Sequence, residues 1–219
     1  MRHLTAFLLC ALGILPGLPA HADAWLRAAG AGFASVSHYA TETGDTVHDS
    51  LLIEYGVTPG LTFGVEAGVS PGGTWSGMAY GRIPLGNPDR ATRFAAEFGA
   101  GITVDGNTAL RLSLAAGRGI ETRFGPGWLS LDSRADHVPG LKLTNLDIDA
   151  TAGLHLGDKS MAILQLQARA DTDGAPTTLT IAPSYVRQIS ESLNLELGVS
   201  AGVVGNDDLR LKLGTWLSF

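Results

Sequence analysis

Apolar residues fall at every second position through most of this chain, and that period limits the possible folds more than any other feature. Leu61, Phe63, Val65, Ala67 and Val69 alternate with Thr62, Gly64, Glu66, Gly68 and Ser70. A period of two sends successive side chains to opposite faces of a β-strand, so such a run has one apolar and one polar face. The pattern returns from Phe94 to Ile102 against Arg93, Glu97, Gly99, Gly101 and Thr103, and at Leu110, Leu112 and Leu114 against Arg111 and Ser113. It returns from Leu146 to Leu154 against Asp147, Asp149, Thr151, Gly153 and His155, and from Leu164 to Ala170 against Gln165, Gln167 and Arg169. The last two runs are Leu193 to Ala201 against Asn194, Glu196, Gly198 and Ser200, and Leu209 to Leu217 against Arg210, Lys212, Gly214 and Trp216.

Weaker strands near Phe33–Thr41, Leu51–Val57, Ser76–Leu85, Trp128–Asp136 and Thr178–Arg187 bring the total to twelve. Each is close to the roughly 9–11 residues that a tilted strand needs to cross a bilayer. A soluble β-sandwich alternates too, so the charges decide. The polar phase carries Glu54, Glu66, Arg82, Arg93, Glu97, Arg111, Asp147, Asp149, Arg169, Glu196, Arg210 and Lys212, while the strand centres of the apolar phase carry almost none. An apolar face this extensive would demand a dry core about as large as the protein, whereas lipid satisfies it directly. Hydrocarbon supplies no hydrogen-bond partners, so a sheet in lipid must close on itself to remove its edges. The expected fold is therefore all-β, a closed antiparallel up-and-down transmembrane β-barrel of about twelve strands, with the charged phase lining the lumen.

Two features leave ten strands open. Pro183 falls on the lipid phase of a predicted strand, where it deletes a ladder hydrogen bond. The connections expected at the outer end, around Ser70–Thr74, Val104–Asn107, Val138–Gly140, Asp171–Pro176 and Gly205–Asp207, are also short. Inward connections are expected around Thr58–Gly60, Gly86–Arg90, Gly117–Gly127, Leu156–Ser160 and Ile189–Leu193.

The first residues fit an exported protein. Arg2 and His3 precede an apolar run from Leu4 to Leu15, followed by Pro16-Gly17-Leu18-Pro19 and Ala20-His21-Ala22. A basic start, a short apolar stretch and an A-x-A site make a secretory signal peptide, with cleavage expected after Ala22. The expected organisation is a signal peptide over 1–22 and a barrel over 23–219. Cys10, the single cysteine of the sequence, lies in the segment to be removed. The net charge of -6, with no basic block, speaks against nucleic acid as a partner.

The chain ends in Lys212-Leu213-Gly214-Thr215-Trp216-Leu217-Ser218-Phe219. This resembles the C-terminal assembly signal of Gram-negative outer-membrane β-barrel proteins: a polar residue, a glycine two later, then apolar residues ending on a terminal aromatic. Lys212, Gly214, Leu217 and Phe219 fill those slots. The resemblance implies recognition by the barrel-assembly machinery and residence in the outer membrane, among its lipids. Aromatics near the expected periplasmic ends, including Trp25, Tyr55, Phe63, Phe124, Trp128, Tyr185 and Phe219, with Tyr39 and Trp75 toward the outer end, resemble interfacial girdles. Trp128 and Trp216 depart from that pattern by falling on the lumenal phase. The sequence sets no oligomeric state.

Catalytic arrangements are poorly supported. Ser37 and His38 are adjacent and alternation puts them on opposite faces, so they do not form a nucleophile–base pair. His155 sits far along its strand from Asp147 and Asp149 and reads as a lumenal hydrogen-bonding residue. Asp171-Thr172-Asp173-Gly174 lacks the later ligands of a calcium loop and reads as a turn, as does Gly205-Asn206-Asp207-Asp208. We expect no metal, no cofactor and no enzyme. The interleaved lumenal charges suit a narrow channel for small polar solutes. The alternatives are a non-conducting structural or accessory barrel, serving envelope integrity or surface-polymer export, and, less favoured, a lipid hydrolase.

Overall fold

The computed structural model describes residues 24–87, 89–206 and 208–219; the expected signal peptide and its cleavage site lie outside the described residues. Twelve strands follow one another: β1 (Gly32–Thr41), β2 (Thr46–Thr58), β3 (Leu61–Val69), β4 (Trp75–Leu85), β5 (Thr92–Ile102) and β6 (Thr108–Thr122), then β7 (Gly125–Val138), β8 (Leu143–His155), β9 (Ser160–Asp171), β10 (Thr178–Gln188), β11 (Leu193–Val204) and β12 (Leu209–Ser218). Each pairs antiparallel with its neighbours in the chain, and β1 pairs with β12 from Phe33↔Ser218 to Thr41↔Arg210. Closure leaves no sheet edge, and the strand number is twelve rather than ten.

Register follows the two faces. On the β2–β3 pair, Ile53 opposes Val65 and Tyr55 opposes Phe63 on the outer wall, while Glu54 opposes Gly64 on the inner one. A slip by one residue would carry Glu54 into lipid, which is why the pattern fixes the pairing. The outer wall exposes Phe98, Leu112, Leu114, Ile148, Leu164, Leu197, Leu211 and Leu213. Soluble monomers rarely leave so continuous an apolar belt uncovered.

Pro183 lies inside β10 and opposes Leu164 on β9. On its other side the β10–β11 ladder runs through Ile181↔Ala201 and resumes at Ser184↔Gly198, skipping Ala182 and Pro183. The missing proline N–H thus interrupts one ladder and leaves the strand intact. The expected connection over Gly117–Gly127 requires correction: β6 and β7 stay paired from Arg118↔Leu129 to Thr122↔Gly125, and the turn is only Arg123 and Phe124. Ladder bonds need backbone alone, and the small residues Ala115, Ala116, Gly117 and Gly119 had masked the alternation there. Similarly, β2 begins at Thr46 rather than Leu51, because polar His48, Asp49 and Ser50 still pair with β1.

Both described ends of the chain lie at the same mouth. Phe219 exchanges backbone hydrogen bonds with Gly32, and residues 24–31 turn in beside β2. In the half of the lumen toward this terminal mouth, Phe33, Trp128, Ile163, Val186 and Trp216 form an apolar cluster, with Trp25, Leu52 and Met161 packed against it. Trp25 and Trp128 therefore belong to the interior and not to a girdle, whereas Tyr55, Phe63, Phe124, Tyr185 and Phe219 are exposed.

Candidate functional site

Inner-wall charges join into one chain of alternating sign. Arg27 meets Glu54 at 2.7 Å, Glu54 meets Arg82 at 2.6 Å, and Arg82 meets Glu97 at 2.9 Å. Glu97 is 3.7 Å from Arg111, which also binds Glu66 at 2.7 Å and Asp136 at 2.8 Å. Asp136 is 3.9 Å from Arg134, Arg134 is 3.2 Å from Asp147, and Asp147 is 2.7 Å from Arg169. Five cations and five carboxylates thus run from β2 around the wall to β9.

Strand register builds much of this chain. Arg82↔Glu97, Arg111↔Asp136, Arg134↔Asp147 and Asp147↔Arg169 are direct cross-strand partners on one face. Opposite charges so placed attract at each step. Other contacts bypass strands: Arg82 of β4 reaches Glu54 of β2, and Arg111 of β6 reaches Glu66 of β3. Only side chains projecting into a closed interior can meet over intervening strands. Glycine makes the first crossing possible, because Glu54, Gly64 and Tyr80 stand in one cross-strand row. The Tyr80 ring lies over Gly64 and its hydroxyl donates to Glu54 Oε1 at 2.9 Å.

A second group stands on the far wall. Lys212 of β12 binds Glu196 of β11 at 2.9 Å and lies 5.7 Å from the Tyr39 ring centroid. The Trp216 indole N–H donates to Glu196 Oε2 at 3.1 Å. Two further carboxylates, Asp132 and Asp149, are register partners on β7 and β8, and Ser130 donates to Asp132 at 3.0 Å.

Of the residues expected on the lumenal phase, Glu54, Glu66, Arg82, Glu97, Arg111, Asp147 and Arg169 come together in the chain, and Glu196 with Lys212 in the second group. Asp149 lies between Asp132 and Gln167. Arg93 is exposed and lines the terminal mouth beside Arg90, Asp89 and His155. Arg210 stands at the opposite rim, 2.6 Å from Asp208. Sequence reasoning missed Arg27, Tyr80, Asp132, Arg134 and Asp136. The last three alternate with Leu131, Ser133 and Ala135, so period two within the Trp128–Asp136 strand was signal enough for them.

The serine and histidine of β1 part company as alternation requires. Ser37 is buried inside, while His38 points outward and its Nδ1 lies 2.6 Å from Asp49. The imidazole–carboxylate pair and the hydroxyl are on opposite sides of the sheet, so no triad is assembled. Asp171 ends β9, and Thr172-Asp173-Gly174 begins the β9–β10 connection, with Gly174 at φ +88°.

Comparison with protein-family models and with curated protein sequences finds no match. Solved structures do match. The KdgM porin aligns with TM-score 0.69 at 12% identity, over 85% of this chain and 99% of that one. The NanC porin aligns with TM-score 0.63 at 10% identity, over 84% of this chain and 98% of the other. An outer membrane channel from Pseudomonas putida F1 aligns with TM-score 0.58 at 11% identity, over 89% and 97%. The chain therefore has the fold of outer-membrane β-barrel porins, a closed antiparallel barrel of twelve strands.

Proposed function

We propose that this chain is exported, loses residues 1–22, and serves in the outer membrane as a narrow channel for small polar solutes. The observation that carries this reading is a closed barrel of the porin fold whose inner wall bears a belt of charged side chains. Fixed charges facing a lumen select solutes by size and sign. One matching structure is the KdgM porin in complex with disordered oligogalacturonate.

Lys212, Gly214, Leu217 and Phe219 are read as the signal by which the assembly machinery recognises the last strand. Leu217 and Phe219 are exposed on the outer wall, while Lys212 and Gly214 face inward. The channel is tested by reconstituting the folded protein in planar bilayers. Stepwise conductance is expected. A barrel that inserts and never conducts would leave the second reading, a structural barrel, which the interior apolar cluster of Phe33, Trp128, Ile163, Val186 and Trp216 favours.

A further inference from the structure

The stretch before β1 does not trail away from the barrel. Ala24 is buried against Ala95 and Ala115 on the inner faces of β5 and β6. Trp25 lies over Gly117 of β6 and also packs against the cluster contributed by β1, β7, β9, β10 and β12. Arg27 then reaches the opposite part of the wall. Its backbone N–H donates to Thr62 Oγ1 of β3 at 2.8 Å, its Nε donates to Glu54 Oε2 of β2 at 2.8 Å, and its guanidinium lies 4.5 Å from the Phe33 ring centroid. Gly30 N–H donates to Gly56 O at 2.8 Å and Gly56 N–H to Ala31 O at 2.9 Å, after which β1 begins. Residues 24–31 thus form a strap that runs from the β5–β6 wall to β2 across the terminal mouth.

The wall is shaped to receive it. A Cβ at Gly117 would occupy the place of the Trp25 indole, and a Cβ at Gly56 that of the Ala28 carbonyl. Glycine at both contact points permits a backbone or ring approach that any larger residue forbids. The strap belongs to no strand or helix. Its anchors include the Arg27–Glu54 ion pair, a few hydrogen bonds and the packing of Ala24, Trp25 and Leu26. Attachments of this kind open locally well below the free energy of global unfolding.

We infer that residues 24–31 are a displaceable plug of the terminal mouth: seated they occlude the lumen, and released from Gly56, Gly117 and Glu54 they open it. This rests on the channel reading above and adds its regulation. Cleavage after Ala22 would leave the strap as the free N-terminal end, able to withdraw without breaking any strand. Opening would expose the Glu54–Arg82 end of the charged belt, since Arg27 is the strap's contribution to that chain.

The test compares, in planar bilayers and in dye-efflux vesicles, the full mature chain, a chain lacking residues 24–31, and an Ala24→Cys/Ala115→Cys variant. The mature chain is otherwise free of cysteine, so the engineered pair alone can cross-link. Folding of each is checked by its heat-dependent gel shift. Removing the strap is expected to raise single-channel conductance severalfold, and the oxidised double-cysteine variant to conduct less than its reduced form. Equal, non-zero conductance with and without the strap overturns the plug and leaves the channel standing. Silence from every form overturns both. Should the truncated chain fail to fold, the oxidised and reduced states of the full-length cysteine variant still decide: indifference to reductant refutes the plug.

Discussion

The ring of Tyr80 lies over Gly64, its register partner on β3, in the space where a Cβ would stand. From there its hydroxyl spans to Glu54 Oε1, 2.9 Å away. Gly64→Val should push the phenol off this seat, at an overpacking cost of about 1–3 kcal/mol, and release that hydrogen bond. Gly119→Ala, where an added Cβ meets nothing within 4 Å, should cost far less. Unfolding midpoints in urea with lipid vesicles, followed by tryptophan fluorescence, separate the two. Equal midpoints would mean that the Tyr80 seat carries no stability.

Neighbouring residues on β9 test the two faces against each other. Leu166 is exposed on the outer wall, while Gln167 faces the lumen opposite Asp149. Leu166→Arg should destabilise the membrane-embedded barrel by about 2–4 kcal/mol, as an arginine near the bilayer midplane does. Gln167→Arg adds the same side chain one residue away, on the polar lumenal face, and should come close to neutral. The same vesicle unfolding measurement reads both. Equal costs would contradict the assignment of the outer face to lipid.

These contrasts also mark how far the sequence alone reaches. Strand number, the two faces and the lumenal phase of Glu54, Arg111 and Asp147 were legible because period two is a backbone property that lipid and lumen both enforce. The partners of those charges were not legible. Arg111↔Asp136 needs the β6–β7 register, and the meeting of Arg111 with Glu66 needs closure of the barrel. The length of the β6–β7 hairpin was hidden because Ala115, Ala116, Gly117 and Gly119 give no hydrophobic contrast. Trp25 and Trp128 looked like girdle residues because an aromatic near a strand end is equally at home in headgroups or against a glycine. Gly153, the partner of Trp128 and overlain by its indole, could have signalled the second case only once register was known. The strap had no periodic signature at all, since residues 24–31 belong to no regular element.

Burial ranks the ion pairs. The side chains of Glu54 and Arg82 are 1% and 4% exposed, whereas Arg210 and Asp208 are 40% and 54% exposed. Glu54→Ala removes a buried carboxylate that pairs with both Arg27 and Arg82 and accepts from the Tyr80 hydroxyl, and should cost roughly 3–5 kcal/mol. Arg210→Ala removes a screened surface pair and should cost no more than about 1 kcal/mol. Parallel unfolding curves of the two variants check the ranking, and a larger loss at Arg210 would invert it.

Arg111 is the junction of the charged belt, holding Glu66 and Asp136 directly and standing 3.7 Å from Glu97. Its guanidinium is 7% exposed, so Arg111→Met should cost roughly 3–5 kcal/mol by leaving these carboxylates short of a partner. The electrical consequence has a definite sign. Losing one fixed positive charge makes the lumen more negative, so cations enter more readily and the reversal potential under a KCl gradient moves toward the potassium equilibrium value. An Asp132→Asn/Asp149→Asn variant removes two carboxylates from the inner wall and should move it the opposite way, with Arg111 and its partners untouched. A variant pair whose reversal potentials coincide with that of the unaltered protein would show that ions do not pass along this wall.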